Sequence, residues 1–323
     1  MNDSHTGVPV LPPYVRRVVH RGGALRRWWL HTMLRLTAKR MKVVDADIAA
    51  LRAQQAGFDA RFARPDPATR RTPVDCAGVA AEWIDVPESR PGRVLLYLHG
   101  GAFIFRFPAT HAGLVAGWCH QLAARTLMVD YRLAPEHPYP AAADDCYAAY
   151  RWLLEQGHDP RSIVIGGDSA GGNLTLATLH RIKADGLPMP ACAVLLSPVV
   201  DFTMSSHSIV TNENRDPMFA LAGLLAMRAL YAPPERFLDP GVSPLFGDFT
   251  GFPPLLFVVG GIEILVDESV RAAARAFAAG VPVELEIWED MAHVFQALRA
   301  LPQAAAADRH VVQFVRDRAG WAP

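Results

Sequence analysis

Short apolar runs recur along the chain, separated by longer segments with helical spacing of apolar positions. The runs are VAAEWIDV (79–86), VLLYL (94–98), TLMVDY (126–131), SIVIGG (162–167), AVLLS (193–197), LLFVVGG (255–261) and VELEIW (283–288). Several carry no polar alternation, which suits strands buried on both faces of a parallel sheet. Between them, segments such as AGLVAGWCHQLAAR (112–125) and ESVRAAARAFAAG (268–280) are long enough to be crossover helices. The pattern predicts an α/β sheet covered on both sides.

Two regions break this rhythm. From Arg26 to Asp47 the apolar residues fall at helical spacing, with Trp29, Met33 and Leu36 near one line and Leu30 and Leu34 beside it. Residues 204–234 hold no clear strand and read as an insertion that forms a lid together with residues 1–60. The Pro-rich stretch RPDPATRRTP (64–73) reads as a linker. The expected organisation is an N-terminal cap segment (1–60), a first part of the core (61–203), a cap insertion (204–234) and a second part of the core (235–323).

Composition narrows the class. The 323 residues suffice for one large α/β domain with a lid, and an apolar content of 51% with 20% charged residues is that of a globular protein. The 32 basic residues balance 32 acidic ones, so no global field recruits nucleic acid. The balance is uneven along the chain, however: residues 1–42 hold nine Lys or Arg against the single acid Asp3. The helix expected over 26–47 therefore has two readings, a lid packed on the rest of the protein or a basic amphipathic helix resting weakly on anionic membrane. Cys76, Cys119, Cys146 and Cys192 lie far apart with no zinc-like spacing, and read as reduced, buried side chains. The N-terminus lacks the apolar core of a secretory signal, and no apolar run approaches the ~20 residues of a membrane span. The expectation is a cytoplasmic protein needing no metal or organic cofactor.

The candidate chemistry centres on GGDSAGG (166–172). Gly167-Asp168-Ser169-Ala170-Gly171 fits G-x-S-x-G between an apolar strand and the helix-like NLTLATLHRI, the context in which a sharp turn exposes a serine nucleophile. The Ala170 amide, at the helix start, would face the developing oxyanion. A tetrahedral intermediate needs more than one donor. His99-Gly100-Gly101-Ala102 follows VLLYL directly, and the amides of Gly100 and Gly101 are expected to supply the others. His99 is expected to brace this loop with its ring.

Of twelve histidines, His293 lies just past the last strand, in WEDMAHVFQ, at the same sheet edge as Ser169. Chain order then requires an acid between Ser169 and His293, beyond a strand end. Glu263, two residues past LLFVVGG, is the first choice, with Asp267 a helical turn further on as the alternative. Such an acid fixes the imidazole tautomer and stabilises the imidazolium when His293 takes the Ser169 proton.

At this point the sequence resembles the hormone-sensitive-lipase-like bacterial carboxylesterases. The resemblance rests on HGGA (99–102), DYRLAPEHPYPAA (130–142), GGDSAGGNL (166–174), GGIEILVD (260–267) and MAHVFQ (291–296), in that order, over roughly residues 80–300. It implies an α/β-hydrolase fold, with a mostly parallel eight-stranded sheet flanked by helices and a helical cap. It also implies hydrolysis of short- to medium-chain carboxylic esters by Ser169, Glu263 and His293, with Gly100, Gly101 and Ala170 as oxyanion donors. Many members read Asp-Pro-Leu where this chain has Glu263-Ile264-Leu265. Relatives are often dimers, so a homodimer is a further expectation.

Glu136 in DYRLAPEHPYPAA is expected to anchor its loop, and Asp216 before Pro217 to cap a helix. Phe103, Phe105, Phe107, Phe219, Leu224 and Trp28 are candidate pocket walls. Lactone opening and long-chain lipase action would use the same residues, and a non-catalytic ligand-binding protein on this scaffold is a remote rival.

Overall fold

The structure, a computed structural model, describes residues 11–41, 46–63 and 66–322. Residues 1–10, on which the signal-sequence reading rests, lie outside the described residues. So do residues 42–45 of the expected helix and Arg64 and Pro65 of the expected linker.

The apolar runs form the expected strands. In chain order the strands are β1 (Val15–Val18), β2 (Arg70–Asp75), β3 (Ala80–Asp85), β4 (Val94–Leu98), β5 (Arg125–Val129), β6 (Ile163–Asp168), β7 (Cys192–Leu196), β8 (Leu255–Gly260) and β9 (Val283–Trp288). They make one sheet in the order β1-β9-β8-β7-β6-β4-β5-β3-β2. All pairs are parallel except β2 with β3 and β3 with β5. Every residue of β4, β6, β7 and β8 is buried, as their unbroken apolar pattern requires.

Among the described residues the sheet has nine strands, not eight, and both outermost strands came from segments expected to be something else. Val15–Val18, within the expected cap, pairs in parallel with β9. Arg70–Asp75, partly within the expected linker, pairs with β3. Pro73 is tolerated there because β2 is an edge strand, where a missing N–H costs no ladder bond. β2 is mostly exposed and polar and β1 is half so, and neither carries the signal of a buried strand.

Helices α1 (Ala24–Leu36) and α2 (Ile48–Phe62) occupy the N-terminal region. Crossover helices α3 (Pro108–Leu122), α4 (Ala141–Glu155) and α5 (Ala170–Ala184) join β4 through β7. Between β7 and β8 lie only a single turn, α6 (Ser208–Thr211), α7 (Leu221–Tyr231) and short 3₁₀ turns, while α8 (Val266–Ala278) and α9 (Pro302–Ala319) complete the chain. Two hydrophobic cores result, one packing α4, α5 and α8 on one sheet face and the other packing α3 and α9 on the opposite face. The four cysteines are free and buried in these cores.

The N-terminal helices meet the later insertion through specific contacts. Lys39 Nζ donates to the carbonyls of Glu213 and of Asp216 (2.6 Å), and Arg35 donates to the Arg215 carbonyl at 3.2 Å. Arg52 on α2 grips Glu136 with both Nη atoms (2.7 and 2.8 Å) and also donates to the carbonyls of Ile104 and Ala134. Glu136 therefore anchors its loop, and through Arg52 it fastens α2 to the segment after His99.

Candidate active site

Ser169 stands between β6 and α5 at φ 53°, ψ −116°. A non-glycine residue pays strain in this region, and the surrounding structure must hold it there. Its amide donates to the Leu196 carbonyl at 2.8 Å, and its carbonyl accepts from Asn173 at 3.1 Å. The turn also needs close backbone approach: a Cβ on Gly171 would lie 1.8 Å from the Leu98 carbonyl oxygen. Ala170 is the first residue of α5, where an amide has no acceptor within the helix.

His293 lies on the loop after β9 and Glu263 on the loop after β8, both buried. The ring Nδ1 and Glu263 Oε2 are 2.5 Å apart. The other carboxylate oxygen accepts from the Ser197 hydroxyl (2.8 Å) and the Gly260 amide (2.5 Å). Ser197 Oγ in turn accepts from the Val294 amide at 3.2 Å, so one hydroxyl joins the two loops. The ring's Nε2 is buried and, among the described residues, has no hydrogen-bond partner. Phe219 packs edge-on against the imidazole, with centroids 4.8 Å apart. Asp267 faces elsewhere and accepts from the Ser208 amide at 2.8 Å.

Burial alone would lower the His293 pKa, but the charge and hydrogen bond of Glu263 outweigh it, with smaller help from Asp216 and Asp168, and the net shift is upward. A base must be neutral to accept a proton, so activity is expected above this raised pKa and lost as pH falls through it. Glu263→Gln removes the raising charge. The acid limb of its residual kcat/KM profile should move to lower pH, and an unmoved limb would exclude His293 as the titrating group.

The loop after β4 departs from expectation at Gly100. Its amide donates to Asp168 Oδ1 at 2.9 Å and is not available to an oxyanion. Among the described residues no protein acceptor engages the amides of Gly101 or Ala102, and Ala102 lines the cavity beside Ser169. Among the described residues, the amides of Gly101, Ala102 and Ala170 are thus left without a protein acceptor. Ala102 has φ 55° and Gly101 φ 126°, left-handed conformations that curl this loop tightly.

Asp168 is what fixes the curl. Its buried carboxylate accepts from Tyr97 Oη (2.8 Å) and from Gly100, and it pairs with His111 Nε2 at 3.1 Å. Burial would raise its pKa, yet the His111 charge and the three hydrogen bonds hold it at about 2. Burial would lower that of His111, and Asp168 reverses the shift. His99 stacks on Tyr131 (centroids 4.1 Å) with Nδ1 2.7 Å from the Gly100 carbonyl oxygen, and burial pushes its pKa down to about 3. It braces the loop as a neutral ring.

Asp216 does not cap a helix. Its Oδ1 accepts from the Met218 and Phe219 amides as an N-cap would, but α7 begins only at Leu221. Its Oδ2 instead accepts from the Ile264 amide at 2.8 Å, clamping the turn that carries Phe219 to the residue after Glu263.

A small cavity of about 40 Å³ opens at Ser169. Phe103, Phe219 and Leu224 line it as expected, joined by Phe202, Met227 and Arg228. Phe105 is core, Phe107 packs against His111, and Trp28 is 61% exposed on α1. Arg228 brings a charge into an otherwise apolar wall: it donates to the Phe202 carbonyl (2.6 Å) and lies 4.3 Å over the Phe237 ring.

Glu268 supports the same wall from behind. Fully buried, it accepts from the Val200 and Asp201 amides, and burial raises its carboxyl to about 8. The folded state then holds a proton that the unfolded chain releases above about pH 4.5, so stability falls as pH rises from there toward 8. Glu268→Gln keeps an acceptor for both amides, and urea melts at pH 5 and 8 should then agree more closely than those of the wild type.

Comparisons with known proteins identify the family. A family described as having the alpha/beta hydrolase fold matches residues 95–297. An acetyl-hydrolase of Streptomyces hygroscopicus is 39% identical over 241 residues, covering 74% of this chain and 80% of that protein. An esterase of Acinetobacter venetianus is 37% identical over 257 residues, covering 77% and 82%. The crystal structure of an esterase from the bacterial hormone-sensitive lipase family superposes with a TM-score of 0.87 at 36% identity, over 92% of this chain and 99% of that one. The chain belongs to the α/β-hydrolase family, among the esterases of the bacterial hormone-sensitive lipase group. It is an enzyme, a carboxylic ester hydrolase, which sets aside the ligand-binding reading. No described helix is long and apolar enough to cross a membrane.

Proposed function

We propose that this esterase hydrolyses short- to medium-chain carboxylic esters through an acyl-enzyme on Ser169. The observation that carries the reading is His293, held at Nδ1 by Glu263 with Nε2 unpartnered. His293 takes the Ser169 proton as Oγ attacks the ester carbonyl, and Glu263 stabilises the imidazolium. The carbonyl oxygen becomes an oxyanion facing the amides of Gly101, Ala102 and Ala170. His293 then protonates the leaving alcohol. Water, deprotonated by the same ring, attacks the acyl-enzyme and releases the acid and free Ser169.

The two segments fastened by Arg35 and Lys39 serve as the cap, comprising residues 1–60 apart from β1, and residues 204–234. Arg228 supports a short acyl preference, because each added methylene brings apolar chain toward a guanidinium that must stay charged and solvated.

The test is hydrolysis of p-nitrophenyl esters from acetate to palmitate, with Ser169→Ala as control. Turnover should peak at about two to six acyl carbons, the reach of so small a cavity. Arg228→Leu should move the peak to longer chains. Activity on caprolactones with none on linear esters would replace this reading with lactone hydrolysis.

A further inference from the structure

Helix α1 is apolar on two opposite faces. Leu34 is buried and Leu30 partly so, packing the helix onto the protein. On the other side Leu25, Trp29 and Leu36 follow one another at helical spacing and are 73%, 63% and 56% exposed, with Trp28 beside them. Solvent-facing helices place polar residues at such positions. Arg26 and Arg35 flank this stripe, one on each side.

The surrounding charge is of one sign. From Leu11 to Met41 there are eight Lys or Arg and no Asp or Glu. Arg16, Arg17 and Arg27 pair with Glu286, Glu289 and Asp290 from the neighbouring strand and loop. Arg21, Arg26, Arg35 and Arg40 are exposed and form no ion pair among the described residues. An exposed Trp-Trp-Leu stripe edged by arginine matches the headgroup region of a bilayer, where indole rings sit at the boundary and cations meet anionic lipid.

We infer that α1 docks flat on an anionic lipid surface, with Leu25, Trp28, Trp29 and Leu36 entering the headgroup boundary. A second copy of the chain fits less well, since a twofold contact through this face would set the same unpaired cations against each other. The seat is fixed to the catalytic body, because Arg35 and Lys39 fasten the helix to the 213–216 turn near Phe219. The inference is independent of which ester the enzyme cleaves.

The test uses the full chain and vesicles of ether-linked phosphatidylglycerol and phosphatidylcholine, which an esterase cannot consume. Flotation should recover the protein with the anionic vesicles and not with pure phosphatidylcholine, and raised salt should weaken it. Leu25→Ser combined with Trp29→Ser should lower the partition coefficient by about tenfold or more. Arg26→Gln should lower it by about fivefold. Hydrolysis of p-nitrophenyl acetate by these variants should match the wild type, showing that they remain folded. Equal partitioning of wild type and double variant would overturn the inference, as would failure of an active wild type to float. A dimer dissolved by the double variant, with no vesicle binding, would instead make this face an interface between copies.

Discussion

Ser169→Ala and His293→Ala should each lower kcat by about 10⁶-fold, and Glu263→Gln by about 10⁴-fold, with folding intact. The glutamine effect is the more informative. Glu263 Oε1 already accepts from the Ser197 hydroxyl and the Gly260 amide, so glutamine would place its oxygen there and turn its NH₂ toward His293. An amide donating to Nδ1 drives the ring proton onto Nε2, the atom that has to accept the serine proton. The 10⁴-fold loss corresponds to about 5.5 kcal/mol of transition-state stabilisation. Asp267→Asn should stay within about threefold of wild type, since the asparagine oxygen can still accept from Ser208. Steady-state kinetics on a p-nitrophenyl ester decide the matter. A collapse in Asp267→Asn with activity kept in Glu263→Gln would reverse the assignment of the acid.

Gly101→Ala should reduce kcat by roughly 10²- to 10³-fold, the range seen when one oxyanion donor is lost. Gly101 sits at φ 126°, and a Cβ there would lie 2.1 Å from the Phe105 carbonyl oxygen. Neither atom is the end of a flexible side chain, so the backbone must shift, and the Gly101 and Ala102 amides shift with it. Because donors to an oxyanion act mainly in the transition state, KM should change little. A variant with normal kcat would show that the loop after β4 does not supply the donors.

The buried centre of the fold was legible because β4, β6, β7 and β8 are covered on both faces and therefore apolar, but for Asp168 at the end of β6. The edges were not. β1 and β2 each carry two arginines and no unbroken apolar run, and their pairing depends on neighbours distant in sequence. In the site, Ser169, Glu263 and His293 could be read from strand ends and chain order, and the structure brings Glu263 to His293. Gly100 could not be sorted from Gly101 and Ala102, because what removes it is Asp168, some 68 residues away. Asp168 occupies a variable position of G-x-S-x-G, and its partners Tyr97 and His111 come from two other elements. Ser197 joins the loops of Glu263 and His293 from a strand end that carried no chemical motif. The pocket wall was equally opaque: Trp28 was a candidate wall residue, but helical spacing did not say which side of α1 would face inward.

The pairing of Val15–Val18 with β9 bears on how the N-terminal region can be studied. Deleting the first 45 residues would remove α1, but it would also uncover the backbone donors and acceptors along one side of β9. A bare strand edge is a template for intermolecular pairing, so the shortened protein should be prone to self-association whatever α1 does. Lost solubility after such a deletion would report an unprotected edge. Point substitutions on the outer face of α1 leave that edge covered.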